Sequence, residues 1–146
     1  MYDLQILYPT FVLVFLTFGV TLAMPLIRFR AVKSEKVDLR YFKYYETRYE
    51  VPASVMALSN HYNNLFQMPI LFYIVSILIM LTNTVDTIFL QLAWAYVAMR
   101  LLHSIIHLSY NHVMHRLIPF ALSTLILLVL WFRLFLSIGQ PIIAIQ

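Results

Sequence analysis

Cysteine is absent from the 146 residues, which excludes disulfides, thiolate metal sites and a cysteine nucleophile, so any thiol chemistry must use a borrowed thiol. Charge is scarce as well. Charged residues make up 11% of the chain and hydrophobic ones 62%, with a mean hydropathy of +0.83. A soluble domain of this length cannot bury so much apolar surface, and a bilayer is the expected solvent. There is no internal repeat and no low-complexity tract. The N-terminus lacks the positive region of a signal peptide, since Asp3 is its first charged side chain. No small-residue cleavage site precedes Arg28, so this stretch reads as a retained helix.

The apolar residues fall into four runs. Leu4 to Ile27 carries no charge, and a helix over Ile6–Met24 rises about 28 Å, close to the thickness of the hydrocarbon core. A second charge-free run begins at Pro52, reaches Val85 and is interrupted by Pro69; Asn83, Thr84 and Asp86 then form a turn. A third run follows from Thr87 to Tyr110, and after a turn over Asn111 to Arg116 a fourth extends from Leu117 to Ile138, where Gly139 and Pro141 act as stop signals. The expected fold is all-α: one polytopic four-transmembrane-helix bundle over residues 1–146, with spans at about 6–27, 53–82, 87–110 and 117–138.

Seven of the ten Lys and Arg residues lie between the first two runs, at Arg28, Arg30, Lys33, Lys36, Arg40, Lys43 and Arg48, and Arg116 lies between the last two. The positive-inside rule then places loops one and three in the cytoplasm and both termini outside. The net charge of +4 suits an anionic lipid leaflet rather than nucleic acid, and no nucleic-acid partner is expected. Arg133, near the far end of span four, reads as a side chain snorkelling to the outer interface.

Two polar stripes cross this apolar background. Asn60, Asn64 and Gln67 are spaced i, i+4, i+7 on one face of span two, with Asn63 beside it. Amides of this kind commonly hydrogen-bond across membrane helices. On span three, Tyr96, Arg100, His103, His107 and Tyr110 succeed one another at spacings of four, three, four and three, a single helical stripe. An arginine inside a span costs at least about 2.5 kcal/mol to insert, so it is expected to face the protein interior or a wet cavity and to have a partner. No Asp or Glu lies inside any span to serve. Counting from the cytoplasmic ends puts Arg100 about 15 Å deep, and Asn60 and Asn64 about 12 and 18 Å deep, so the stripes can meet in the inner half of the bilayer. Two readings stay open: a cation solvated by amides and water that attracts an anionic ligand such as a carboxylate, or one satisfied by backbone carbonyls of a neighbouring helix or subunit. His103 and His107 have the i, i+4 spacing of a two-histidine metal site, with His112 and His115 nearby. No carboxylate or cysteine completes a coordination sphere and Arg100 repels a cation, so no metal is expected.

The stretch Asn60-His-Tyr-Asn-Asn-Leu-Phe-Gln-Met-Pro69 and the stretch Arg100-Leu-Leu-His-Ser-Ile-Ile-His-Leu-Ser-Tyr-Asn111 resemble the MAPEG family, membrane-associated proteins in eicosanoid and glutathione metabolism. The resemblance covers nearly the whole chain and looks closest to bacterial members, which implies a bacterial inner membrane. It also implies a homotrimer whose glutathione site lies between subunits in the inner half of the bilayer. By this resemblance Asn64 matches the family's motif asparagine, Gln67 its glutamate, Arg100 the arginine of span three and His103 the next motif position. The chain departs from the pattern where Asn60 stands for an arginine, Gln67 for the glutamate and His107 for a tyrosine. The arginine that stabilises the glutathione thiolate falls at Met114. Arg116 can replace it only if span three has already ended, because two helical residues are about a 200° rotation.

Two functions follow as expectations. One is a glutathione-dependent transferase or peroxidase acting on lipophilic small molecules, with glutathione as co-substrate, Arg116 or Arg100 supplying the cation, and Asn60, Asn64, Gln67, Arg100, His103, His107 and Tyr110 as the ligand-binding set. The other is a non-catalytic membrane protein of the same fold that binds a lipid or a partner, favoured by the lost arginine and glutamate. A proton or metal transporter lacks an acidic relay and a broken-helix pair.

Overall fold

The computed structural model describes residues 3–34, 42 and 52–138. Helix α1 covers Leu7–Lys33, α2 Ala53–Leu65, α3 Met68–Leu81, α4 Thr87–Leu108 and α5 Val113–Ile138. The described residues contain no strand. With α2 and α3 taken together, four helical segments are long and apolar enough to cross a membrane. The fold is therefore an all-α, four-span membrane architecture. The basic residues expected at Lys36, Arg40, Lys43 and Arg48, and the stop signals Gly139 and Pro141, lie outside the described residues.

Side-chain packing fixes an up-down-up-down arrangement. At one end Ile6, just before α1, and Leu13 of α1 share a core with Phe72, Val75 and Ile79 of α3, Phe89 and Ala93 of α4, and Leu130 and Leu134 of α5. Toward the other end Val20 and Met24 of α1 pack on Leu58 and Leu65 of α2, and Ala31 meets Val55. The C-terminus of α1, the N-terminus of α2, the C-terminus of α4 and the N-terminus of α5 thus share one end of the bundle. Most large apolar side chains that remain, among them Phe15, Leu22, Ile105, Leu128 and Phe135, are exposed, as befits helices whose solvent is lipid.

Several boundaries differ from the sequence expectation. Helix α1 continues through Arg28 and Arg30 to Lys33, because nothing in that stretch breaks a helix and long basic side chains reach headgroups from a helical backbone. Helix α4 ends at Leu108, two residues before Tyr110, and the chain reverses through Asn111, whose φ of 49° is a left-handed conformation that asparagine tolerates. Helix α5 then starts at Val113, so His115 and Arg116 are helical rather than part of a turn. At the opposite end Asp86 caps α4 by accepting a hydrogen bond from the Phe89 amide at 2.8 Å. Its other oxygen pairs with Arg133, whose guanidinium also lies 4.5 Å above the Phe89 ring. Arg133 is therefore anchored by an ion pair and not simply snorkelling.

Span two breaks at Phe66–Gln67. Pro69 has no N–H for the Leu65 carbonyl, and its ring crowds that carbonyl. The chain tightens through Phe66 N–H to the Asn63 carbonyl at 3.2 Å and Gln67 N–H to the Asn64 carbonyl at 3.4 Å, and α3 restarts with the buried Pro69 in its first turn.

Candidate functional site

The break in span two opens the site. In an unbroken helix the Asn64 carbonyl would accept from Met68; here its intrahelical bond is the long one from Gln67, and Arg100 Nη2 donates to the same oxygen at 3.1 Å. Arg100 is 1% exposed. Its Nε and Nη1 have no hydrogen-bond partner, and its guanidinium sits 5.7 Å from the centre of the Phe120 ring. The only ion pair among the described residues is Arg133–Asp86, so Arg100 is a buried cation held by one backbone carbonyl and an aromatic face. The partner seen is thus main-chain oxygen rather than an amide side chain.

Of the span-three stripe, Tyr96, Arg100, His103 and His107 are buried together. Tyr96 belongs to the apolar core, stacked on Phe72 at 4.4 Å. Tyr110 leaves the stripe because α4 has already ended; it is 60% exposed, and its hydroxyl lies 3.3 Å from His115 Nδ1. The same early end brings Arg116 in. Its position is set by the new helix rather than by rotation along the old one, and its Nη1 donates to His107 Nε2 at 3.1 Å and to Asn111 Oδ1 at 2.6 Å. Its carbonyl accepts from His103 Nδ1 at 2.9 Å.

The amide stripe of span two behaves differently. The buried face of α2 is Val55, Leu58, His61 and Leu65, one residue out of register with the amides. Asn60 and Gln67 are exposed and Asn64 half-buried, and no side-chain hydrogen bond is made by Asn60 or Gln67 among the described residues. Asn64, His103, Arg116 and Phe120 line one cleft of about 200 Å³. A second, of about 520 Å³, opens at the end of the bundle shared by the α1 C-terminus and the α2 N-terminus, between Ala53, Leu58, His107 and Asn111.

The residue that sequence reasoning missed is His61. It is fully buried with its ring centre 5.2 Å from that of His107 and 6.2 Å from that of His103. Its place at i+4 from Ala57 and i−4 from Leu65, inside the apolar face, was the available signal. Taken together the site offers cationic and neutral nitrogen donors with no carboxylate among the described residues, an arrangement that can hold an anion and stabilise a developing negative charge.

Comparison with known proteins gives one match: the model of the MAPEG family aligns with residues 6–136. Nothing among curated proteins or solved structures matches the chain.

Proposed function

The chain belongs to the MAPEG family, and from that premise we propose that it is a glutathione-dependent transferase or peroxidase acting on lipophilic electrophiles that partition from the bilayer. The observation that carries the reading is Arg116. Its guanidinium reaches back to His107 and Asn111, the residue lines the same cleft as Asn64 and His103, and among the described residues no carboxylate pairs with it. A cation beside a thiol favours the thiolate, and the thiolate sulfur is the attacking atom in conjugation. Arg100 and Asn64 hold the peptide's carboxylate and backbone groups.

The assembly is a homotrimer in a bacterial inner membrane. Asn60 and Gln67 are exposed on a membrane span, where amides facing hydrocarbon would go unsatisfied; a second copy of the chain covers them. Arg28, Arg30, Lys33 and Arg116 gather at one end of the bundle, which is the cytoplasmic end, and both termini lie outside.

Titration calorimetry of glutathione into the detergent-solubilised protein tests this. Saturable binding is expected, weakened at least about tenfold by Arg116→Leu, the loss of one charge-assisted contact. A second reading, non-catalytic lipid or partner binding, is favoured by the neutral, exposed Asn60 and Gln67. Absence of glutathione binding together with a copurifying lipid that Arg100→Leu displaces would establish it instead.

A further inference from the structure

His61 is idle in the thiol chemistry, yet it is buried without any hydrogen bond to either ring nitrogen. A buried polar group left unsatisfied on both sides is costly, and native structures keep few of them. Its neighbours in the cluster are imidazoles. His103 and His107 have ring centres 5.6 Å apart, and one ligating nitrogen from each of the three rings lies within 4.8 Å of the other two. His103 Nε2 and His107 Nδ1 are also buried without partners.

We propose that His61, His103 and His107 form a three-imidazole site for one late first-row divalent metal ion of the zinc type. The inference rests on this cluster alone and not on the thiol reading. Imidazole is a preferred ligand of such ions, and three histidines leave a fourth position open for water or an anion. Bond lengths near 2.0–2.1 Å in a tetrahedral site require nitrogens about 3.3 Å apart, so the rings draw in by on the order of an ångström when the ion binds. The third ligand comes from span two, and it supplies what the His103–His107 pair lacks by itself.

Second contacts already fix one ligand. The Arg116 carbonyl can only accept, so His103 Nδ1 carries the hydrogen and Nε2 presents its lone pair to the cluster, the outer hydrogen bond that metal-ligating histidines usually make. His107 is held the other way. A guanidinium only donates, so Nε2 accepts from Arg116 and Nδ1 carries the hydrogen. Whichever nitrogen of His107 binds the ion, Arg116 must let go: ligation through Nε2 displaces it directly, and ligation through Nδ1 moves a hydrogen onto Nε2, which then faces another donor. Asn111 Oδ1 remains as its partner. Arg116 is therefore a gate on the metal site. Arg100, one turn before His103, opposes a dication further and favours an anion in the open position.

Titration of Co²⁺ and Zn²⁺ into the full-length protein in detergent, after chelator treatment, tests the site. The expected result is one ion per chain, intense visible d–d absorption of four-coordinate cobalt, and displacement of that cobalt by zinc. His61→Ala should abolish the band while thermal unfolding of the metal-free protein is retained. Arg116→Leu should tighten binding by about tenfold, the scale of outer-contact effects, which a merely structural role for His61 would not produce. The exposed His112 and His115, with ring centres 4.3 Å apart, are the competing site, so His112→Ala/His115→Ala should leave the band unchanged. Loss of binding in that double variant, a weak octahedral-type cobalt spectrum, or no binding at all overturns the proposal. If His61→Ala does not fold, the wild-type spectrum and the Arg116→Leu affinity decide alone.

Discussion

Arg100 has one hydrogen bond, to the Asn64 carbonyl, and two nitrogens with none, although it is almost completely buried. A charge so placed costs stability of at least about 2.5 kcal/mol on the insertion scale, so its retention points to a ligand that meets it. Arg100→Met should therefore raise the thermal midpoint of the ligand-free protein in detergent while weakening glutathione binding by at least about tenfold. A lower midpoint would mean that the carbonyl and the Phe120 face already satisfy the cation. The residue itself was legible in the sequence, because a charge inside an apolar run is visible without coordinates. Its partner was legible in kind only: a backbone carbonyl of a neighbouring helix was one of the two open readings, but that Asn64 supplies it through its main-chain oxygen rather than its amide is something no residue type encodes. His61 was hidden for the opposite reason, since its place on the apolar face of α2 marks it as buried but gives no chemical role until the neighbouring helix supplies two more histidines.

At the scale of the element, the site depends on two interruptions of helix. One is at Phe66–Gln67, where Pro69 frees the carbonyls that α2 would otherwise use; the other is at Ser109–His112, where the left-handed Asn111 turns the chain so that Arg116 comes back over His107. Pro69→Ala restores an N–H for the Leu65 carbonyl and allows Met68 to reclaim the Asn64 oxygen from Arg100. Span two should then be more regular, seen as slower amide hydrogen exchange over residues 65–70, while glutathione affinity falls several-fold. Unchanged affinity with slowed exchange would show that the break does not serve the site. Sequence located the proline and the four spans, because a missing N–H and a bilayer-length apolar run are local properties. It placed the start of span three and the end of span four where the structure has them, at Thr87 and Ile138, and misplaced the turn between them, because polar residues such as His115 and Arg116 look like a turn yet sit comfortably in the first turn of a helix at the membrane surface. That shift decided whether Arg116 joins the site, and it moved Tyr110 out of it.

For the whole molecule, the cysteine-free sequence makes orientation and assembly directly testable, since any introduced cysteine is the only thiol. Ser34 and Thr87 are exposed at opposite ends of the bundle. The proposed orientation, both termini outside, requires that a membrane-impermeant maleimide added to intact cells stripped of their wall label Thr87→Cys and spare Ser34→Cys; the reverse pattern would invert the topology and move the site to the outer leaflet. The exposed amides set a further condition. Asn60 and Gln67 would each lose water hydrogen bonds on entering hydrocarbon, at a cost of several kcal/mol for every group left unsatisfied, whereas a neighbouring chain can supply partners at the same depth. Native mass in mild detergent should thus correspond to three chains, and Gln67→Cys should be protected from a lipophilic maleimide in the assembly but reactive once the chains are dissociated. A monomeric mass with Gln67→Cys freely reactive would leave this face to lipid, and with it Arg100 and Arg116 would have to hold their anion within a single chain.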